Sequence, residues 1–165
     1  MDSEALREHL LALLDAQDAH MTFEEAVADF PDDAINVRPP NVPYTPWHLL
    51  EHLRIAQWDI LEYIRDPGHV SPDWPEGYWP APDAQATPER FAATVSAFQS
   101  DQKALRELVA NPATDPLAVI VGTPGHTVLR EVRIVADHNA YHLGEFAILR
   151  QVMGTWPNAR RSGGK

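Results

Sequence analysis

The chain has 165 residues, 44% of them apolar and 22% charged, with a formal net charge of −11 and no cysteine. That length suits one domain around one core, and the missing thiols exclude disulfides, thiolate metal sites and a cysteine nucleophile. The acidic balance argues against binding nucleic acid or anionic lipid. No apolar run approaches the roughly 18–20 residues that cross a bilayer. The N-terminus, Met1 to Glu4, lacks the basic and apolar regions of a signal peptide, so a cytoplasmic location is expected. A small molecule or another protein is the expected partner.

In chain order, a first helix is predicted from Ser3 to Asp29, with Ser3 as cap and Leu6, Leu10, Leu13 and Leu14 at helical spacing. The Pro- and Asn-rich stretch from Pro31 to Pro46 reads as a crossing connection. A second helix starts at Thr45 and Pro46, a cap followed by a residue suited to the first helical position. Its apolar stripe is Leu49, Leu53, Ala56, Ile60 and Ile64, and Asp66-Pro67-Gly68 ends it. The loop from Pro67 to Thr87 holds five prolines together with Trp74, Tyr78 and Trp79. Its length points to function, and three large aromatics argue against disorder. A third helix opens at Thr87-Pro88 and ends near Asn111-Pro112, and a fourth runs from after Gly125 to about Met153-Gly154. Four long helices predict an all-α four-helix bundle as a single domain over residues 1–156, with a flexible tail over 157–165.

Histidine is the unusual component, with eight copies. His48 and His52 stand four residues apart, as do His138 and His142, so each pair shares a helix face on which two imidazoles can reach one metal ion. One such pair is easily accidental, and position on the helix is more telling. Ile134, Val135, Phe146, Leu149, Val152 and Met153 mark the apolar stripe of the fourth helix, and His138 and His142 fall at its middle. Imidazoles buried there must be neutral and hydrogen-bonded, as satisfied core residues, or must bind something. On the second helix His52 lies about 80° from the stripe centre and His48 about 40° further out, so His52 is the expected third ligand and His48 the solvated one. Glu131 and Glu145 share the face of His138 and His142. Either could orient a ligating imidazole or pair with an arginine across the bundle, and Glu145 could also serve as a base.

The stretch TPWHLLEHL from Thr45 to Leu53 and the stretch DHNAYHLGE from Asp137 to Glu145 resemble the two signature segments of the DinB-like superfamily. The aromatic loop around Tyr78-Trp79-Pro80 is similar to one branch of it. The resemblance implies a bundle with its helices up-down-down-up, commonly dimeric. It also implies a divalent metal such as zinc or nickel on three histidines, matched here by His52, His138 and His142. Relatives often carry Gln where this chain has Glu145. Some are transferases or isomerases using low-molecular-weight thiols, and others act as metal-dependent hydrolases. The family name reflects induction by DNA damage and implies no DNA binding. The resemblance therefore implies an enzyme that transfers a low-molecular-weight thiol to, or hydrolyses, a small electrophile. The alternative is a metal-stabilised dimer without catalytic activity. Five tryptophans in so small a chain add an expectation of a two-fold homodimer that buries some of them.

Overall fold

The computed structural model describes residues 3–16 and 19–157. Five α-helices carry the fold: α1 (Ser3–Asp15), α2 (Phe23–Val27), α3 (Pro46–Arg65), α4 (Pro88–Ala110) and α5 (Val128–Met153). Among the described residues there is no strand, only one isolated bridge between Val119 and Thr127. No helix there is long and apolar enough to cross a membrane. The chain is an all-helical bundle in which α3 packs on α4 and α5, and α1 packs on the same two helices.

Local chemistry explains the boundaries. Thr45, Thr87 and Thr127 each accept a hydrogen bond from the backbone N–H three residues on, which satisfies one of the unpaired donors at the helix starts. At the end of α5, Gly154 adopts φ +65, a left-handed turn that costs glycine little. The first predicted helix is corrected. It stops at Asp15, Ala16 takes φ +56, and α2 begins separately behind Thr22. The cause is a reciprocal capping box, in which Thr22 accepts from Glu25 N–H and Glu25 accepts from Thr22 N–H. The cap expected of the Ser3 side chain and the tail expected beyond Pro157 lie outside the described residues.

The core has two parts. One gathers Trp47, Leu49, Leu50, Leu53, Phe91, Phe98 and Phe146, and the other Leu10, Leu61, Leu105, Val109, Val132 and Val135. Between them in register, Gln57 donates to the Phe98 carbonyl at 2.7 Å and accepts from Asn139 at 2.9 Å, a polar layer tying α3 to α4 and α5. Arg150 is fully buried and donates to the carbonyls of Ala26, Ala28 and Thr155, locking α2 against the end of α5.

Two expectations about faces are also corrected. The buried face of α5 runs through Glu131, Val135, Asn139, Leu143, Phe146 and Arg150, rotated by about 60° from the predicted stripe at 100° per residue. Val152 is consequently 64% exposed, and His138 and His142 sit at the edge of the buried face, half-buried, instead of at its centre. His48 is buried, not solvated. Every residue from Pro46 to Leu53 is buried, because chain on both sides of α3 wraps its first two turns. Trp47 N–H donates to the Ile35 carbonyl on one side, and His48 Nε2 donates to the Ala84 carbonyl at 2.8 Å on the other.

Candidate metal centre

Three imidazoles converge where α3 faces α5. His52 Nε2 lies 3.2 Å from His142 Nε2 and 3.1 Å from His138 Nε2. One ligand atom from each of the three residues falls within 4.8 Å of the others. Two zinc–nitrogen bonds of about 2.0–2.1 Å at a tetrahedral angle set their nitrogens about 3.3 Å apart. The spacing therefore suits one ion held by three nitrogens.

Hydrogen bonding decides which nitrogens are free to bind it. A carbonyl or carboxylate oxygen accepts only, so the ring nitrogen facing it must carry the proton of a neutral imidazole. His52 Nδ1 donates to the Tyr78 carbonyl at 3.0 Å, and His142 Nδ1 donates to Glu145 Oε2 at 2.5 Å. With both rings neutral, those two bonds leave Nε2 bare on each, and the two Nε2 atoms lie 3.2 Å apart. A proton on His138 Nε2 can satisfy one of those lone pairs and not both. A divalent cation satisfies all three nitrogens together, so the donor set fits a metal.

Burial disfavours protonation of His138 and His52. Desolvation, with the His142 and His52 rings adding, pushes His138 from 6.5 down to about 4. Desolvation also lowers His52 against the opposing pull of the Tyr78 carbonyl. The sign for stability follows. Between about pH 6.5 and 4 an unfolded chain takes up a proton at His138 that the folded chain does not. Stability of the metal-free protein should therefore fall as pH falls through that window, by about 3 kcal/mol from this residue. Urea unfolding of metal-free parent and His138→Leu proteins across the window measures it, and equal slopes for the two would refute it.

Aromatic rings close the surroundings. Trp79 stacks face to face on His52, with centroids 3.9 Å apart and planes 5° from parallel, and Tyr44 stacks on Trp79. The Tyr44 hydroxyl donates to Glu145 Oε1 at 2.9 Å. Burial, reinforced by Glu145, pushes the Tyr44 hydroxyl up to about 12, so it remains a donor. Trp74 departs from the reading of the loop and is 71% exposed. A cavity of about 310 Å³ opens beside Glu145, walled by Pro40, Val42, Ile148 and Leu149.

A model of the DinB superfamily matches residues 15–146 of the chain. The chain belongs to the DinB superfamily. Neither curated proteins nor solved structures yield a match. The histidines that the DinB resemblance implied as ligands, His52, His138 and His142, are the three that the fold brings together. His48 stays out because both its nitrogens are used. Nε2 donates to Ala84, and Nδ1 accepts from Thr45 N–H at 3.5 Å. Glu145 reaches His142, whereas Glu131 lies elsewhere, buried beside Arg130 and 3.7 Å from His126. Sequence reasoning pointed to the aromatic loop that carries Trp79 and missed Tyr44 and the Tyr78 carbonyl, for which the sequence holds no signal.

Proposed function

We propose that this DinB-superfamily protein is a divalent-metal-dependent enzyme acting on a small electrophilic molecule, with His52, His138 and His142 holding zinc or nickel. The observation that carries the reading is the convergence of three imidazoles, with His52 Nε2 3.2 Å from His142 Nε2 and 3.1 Å from His138 Nε2, while the far nitrogens of His52 and His142 are held by the Tyr78 carbonyl and Glu145. Such an ion, held by His52, His138 and His142, would supply Lewis-acid activation of a thiol or water.

The chain's own residues do the rest. Tyr78 and Glu145 hold His52 and His142 in the tautomer that binds metal. Glu145 is a proton acceptor in contact with one of the three imidazoles, and its side chain is 32% exposed. Trp79 covers the face of His52 and keeps water from it. Transfer of a low-molecular-weight thiol is the leading reaction and hydrolysis the second. The bundle is read as one domain with helices up-down-down-up, working in the cytoplasm and binding no nucleic acid.

A non-catalytic reading draws on one feature. Both Glu145 oxygens are already engaged, by Tyr44 and His142, as in a centre built only to hold an ion. Elemental analysis of protein purified without added metal, followed by a screen of thiol and ester substrates, separates the two. One zinc or nickel per chain with turnover of a thiol or ester supports the enzyme. One ion per chain with no turnover across the screen favours the non-catalytic protein, and no bound metal overturns both.

We also propose a two-fold homodimer. Tyr141, Ile148 and Val152 are each at least 64% exposed and recur along one face of α5, an apolar stripe suited to a second copy. Light scattering at tens of micromolar should give twice the mass of one chain, and a monomer mass would remove the dimer.

A further inference from the structure

His52 and Asp59 stand seven residues apart on α3, two turns along one face. The loop leaving α3 doubles back over that face and grips it at both points. His69 Nε2 donates to Asp59 Oδ1 at 2.7 Å, and the Tyr78 hydroxyl donates to Asp59 Oδ2 at 2.6 Å. The carbonyl of Tyr78 accepts from His52 Nδ1 at 3.0 Å. One residue thus touches Asp59 with its side chain and His52 with its backbone.

Three further features make that link stiff. Asp59 is 6% exposed, and its two oxygens are each taken by a donor from the loop. Immediately before Tyr78, a Cβ added to Gly77 would lie 2.6 Å from Pro72 Cβ, so the loop is packed on itself with no slack. Immediately after Tyr78, Trp79 stacks on the His52 ring. Holding a loop down requires no buried carboxylate, since an apolar side chain would do it at less desolvation cost. What the carboxylate adds is direction. It sets where the Tyr78 hydroxyl goes, and with it where the carbonyl on the same residue points.

We propose that Asp59 is a positioning residue of the metal centre, acting through Tyr78 to fix the tautomer and ring orientation of His52. If the Tyr78 carbonyl drifts, the proton on His52 is free to move to Nε2, the nitrogen that faces the other two histidines. This inference rests on the reading of His52 as a metal ligand, and the test separates the two.

Zinc is titrated against a competing chelator into the full chain carrying Tyr78→Phe or Asp59→Asn, and the visible absorption of each protein is recorded with cobalt(II) at saturation. Both variants should bind zinc about 10- to 100-fold more weakly, the usual loss when an outer partner of a ligating histidine is removed. Their cobalt bands should also shift, which loosening of a merely structural loop would not cause at saturation. Tyr78→Phe removes a single hydroxyl, so it decides the matter if Asp59→Asn fails to fold. His52→Ala is the control. If it loses zinc while Tyr78→Phe keeps the parental affinity and cobalt spectrum, Asp59 has no positioning role and the metal centre stands. If His52→Ala binds zinc as the parent does, the metal centre and this inference fall together.

Discussion

Replacing His52, His138 or His142 by alanine is expected to cut zinc or nickel affinity by on the order of 10²–10³-fold and to leave protein purified without added metal essentially empty. A zinc site is worth about 10–16 kcal/mol in apparent binding free energy, so one nitrogen of a small set carries a few kcal/mol of it. Of the two nearest candidates among the described residues, neither stands ready as a spare ligand. His48, one turn from His52, spends both nitrogens on the Ala84 carbonyl and the Thr45 N–H. The Glu145 carboxylate sits on His142 Nδ1, the ring nitrogen turned away from the cluster. His48→Ala should therefore keep the metal. It should still cost about 1–3 kcal/mol of stability, because it leaves a buried carbonyl and a helix cap without their partner. Elemental analysis and urea unfolding of the four variants read both quantities. Metal lost from His48→Ala and kept by His52→Ala would reverse the assignment on α3.

The three-histidine group that could hold a metal was legible in the sequence because residue type and i, i+4 spacing are local. The reading succeeded at α3 and α4, where a threonine cap and a following proline mark the start unambiguously. It failed where long-range packing overrides the helical wheel. His48 looked solvated on an isolated helix, yet the chain around Ile35 and Ala84 wraps that turn. The stripe on α5 was misplaced for a related reason. Counting apolar residues ignores Glu131, Asn139 and Arg150, which are buried through hydrogen bonds and ion pairs made only in the folded chain. The break between α1 and α2 was legible and overlooked, since Thr22 and Glu25 have the spacing of a capping box. The contacts that fix the imidazoles are a different case. A backbone carbonyl at Tyr78 and a tyrosine 101 positions from Glu145 leave no periodic trace.

Glu145→Gln is expected to keep fold and metal while lowering turnover by about 10²–10⁴-fold, the range for losing a general base. Glutamine retains one carbonyl oxygen, enough to accept from His142 Nδ1 and hold that ring in the tautomer that leaves Nε2 free. Its amide N–H₂ then faces Tyr44, whose hydroxyl can rotate from donating to accepting, so neither partner is stranded. What glutamine cannot do is take up a proton. A readout independent of activity accompanies the exchange. Tyr44 is held near 12 by burial first and by Glu145 second, so removing the negative charge should bring its phenol below that value while burial keeps it above an exposed tyrosine. Ultraviolet titration of the phenolate band follows that change directly. If Tyr44 responds and turnover does not, the carboxylate serves only to orient His142. If the metal is lost instead, the charge of Glu145 is part of what holds the ion, and the non-catalytic reading gains at the expense of the enzyme.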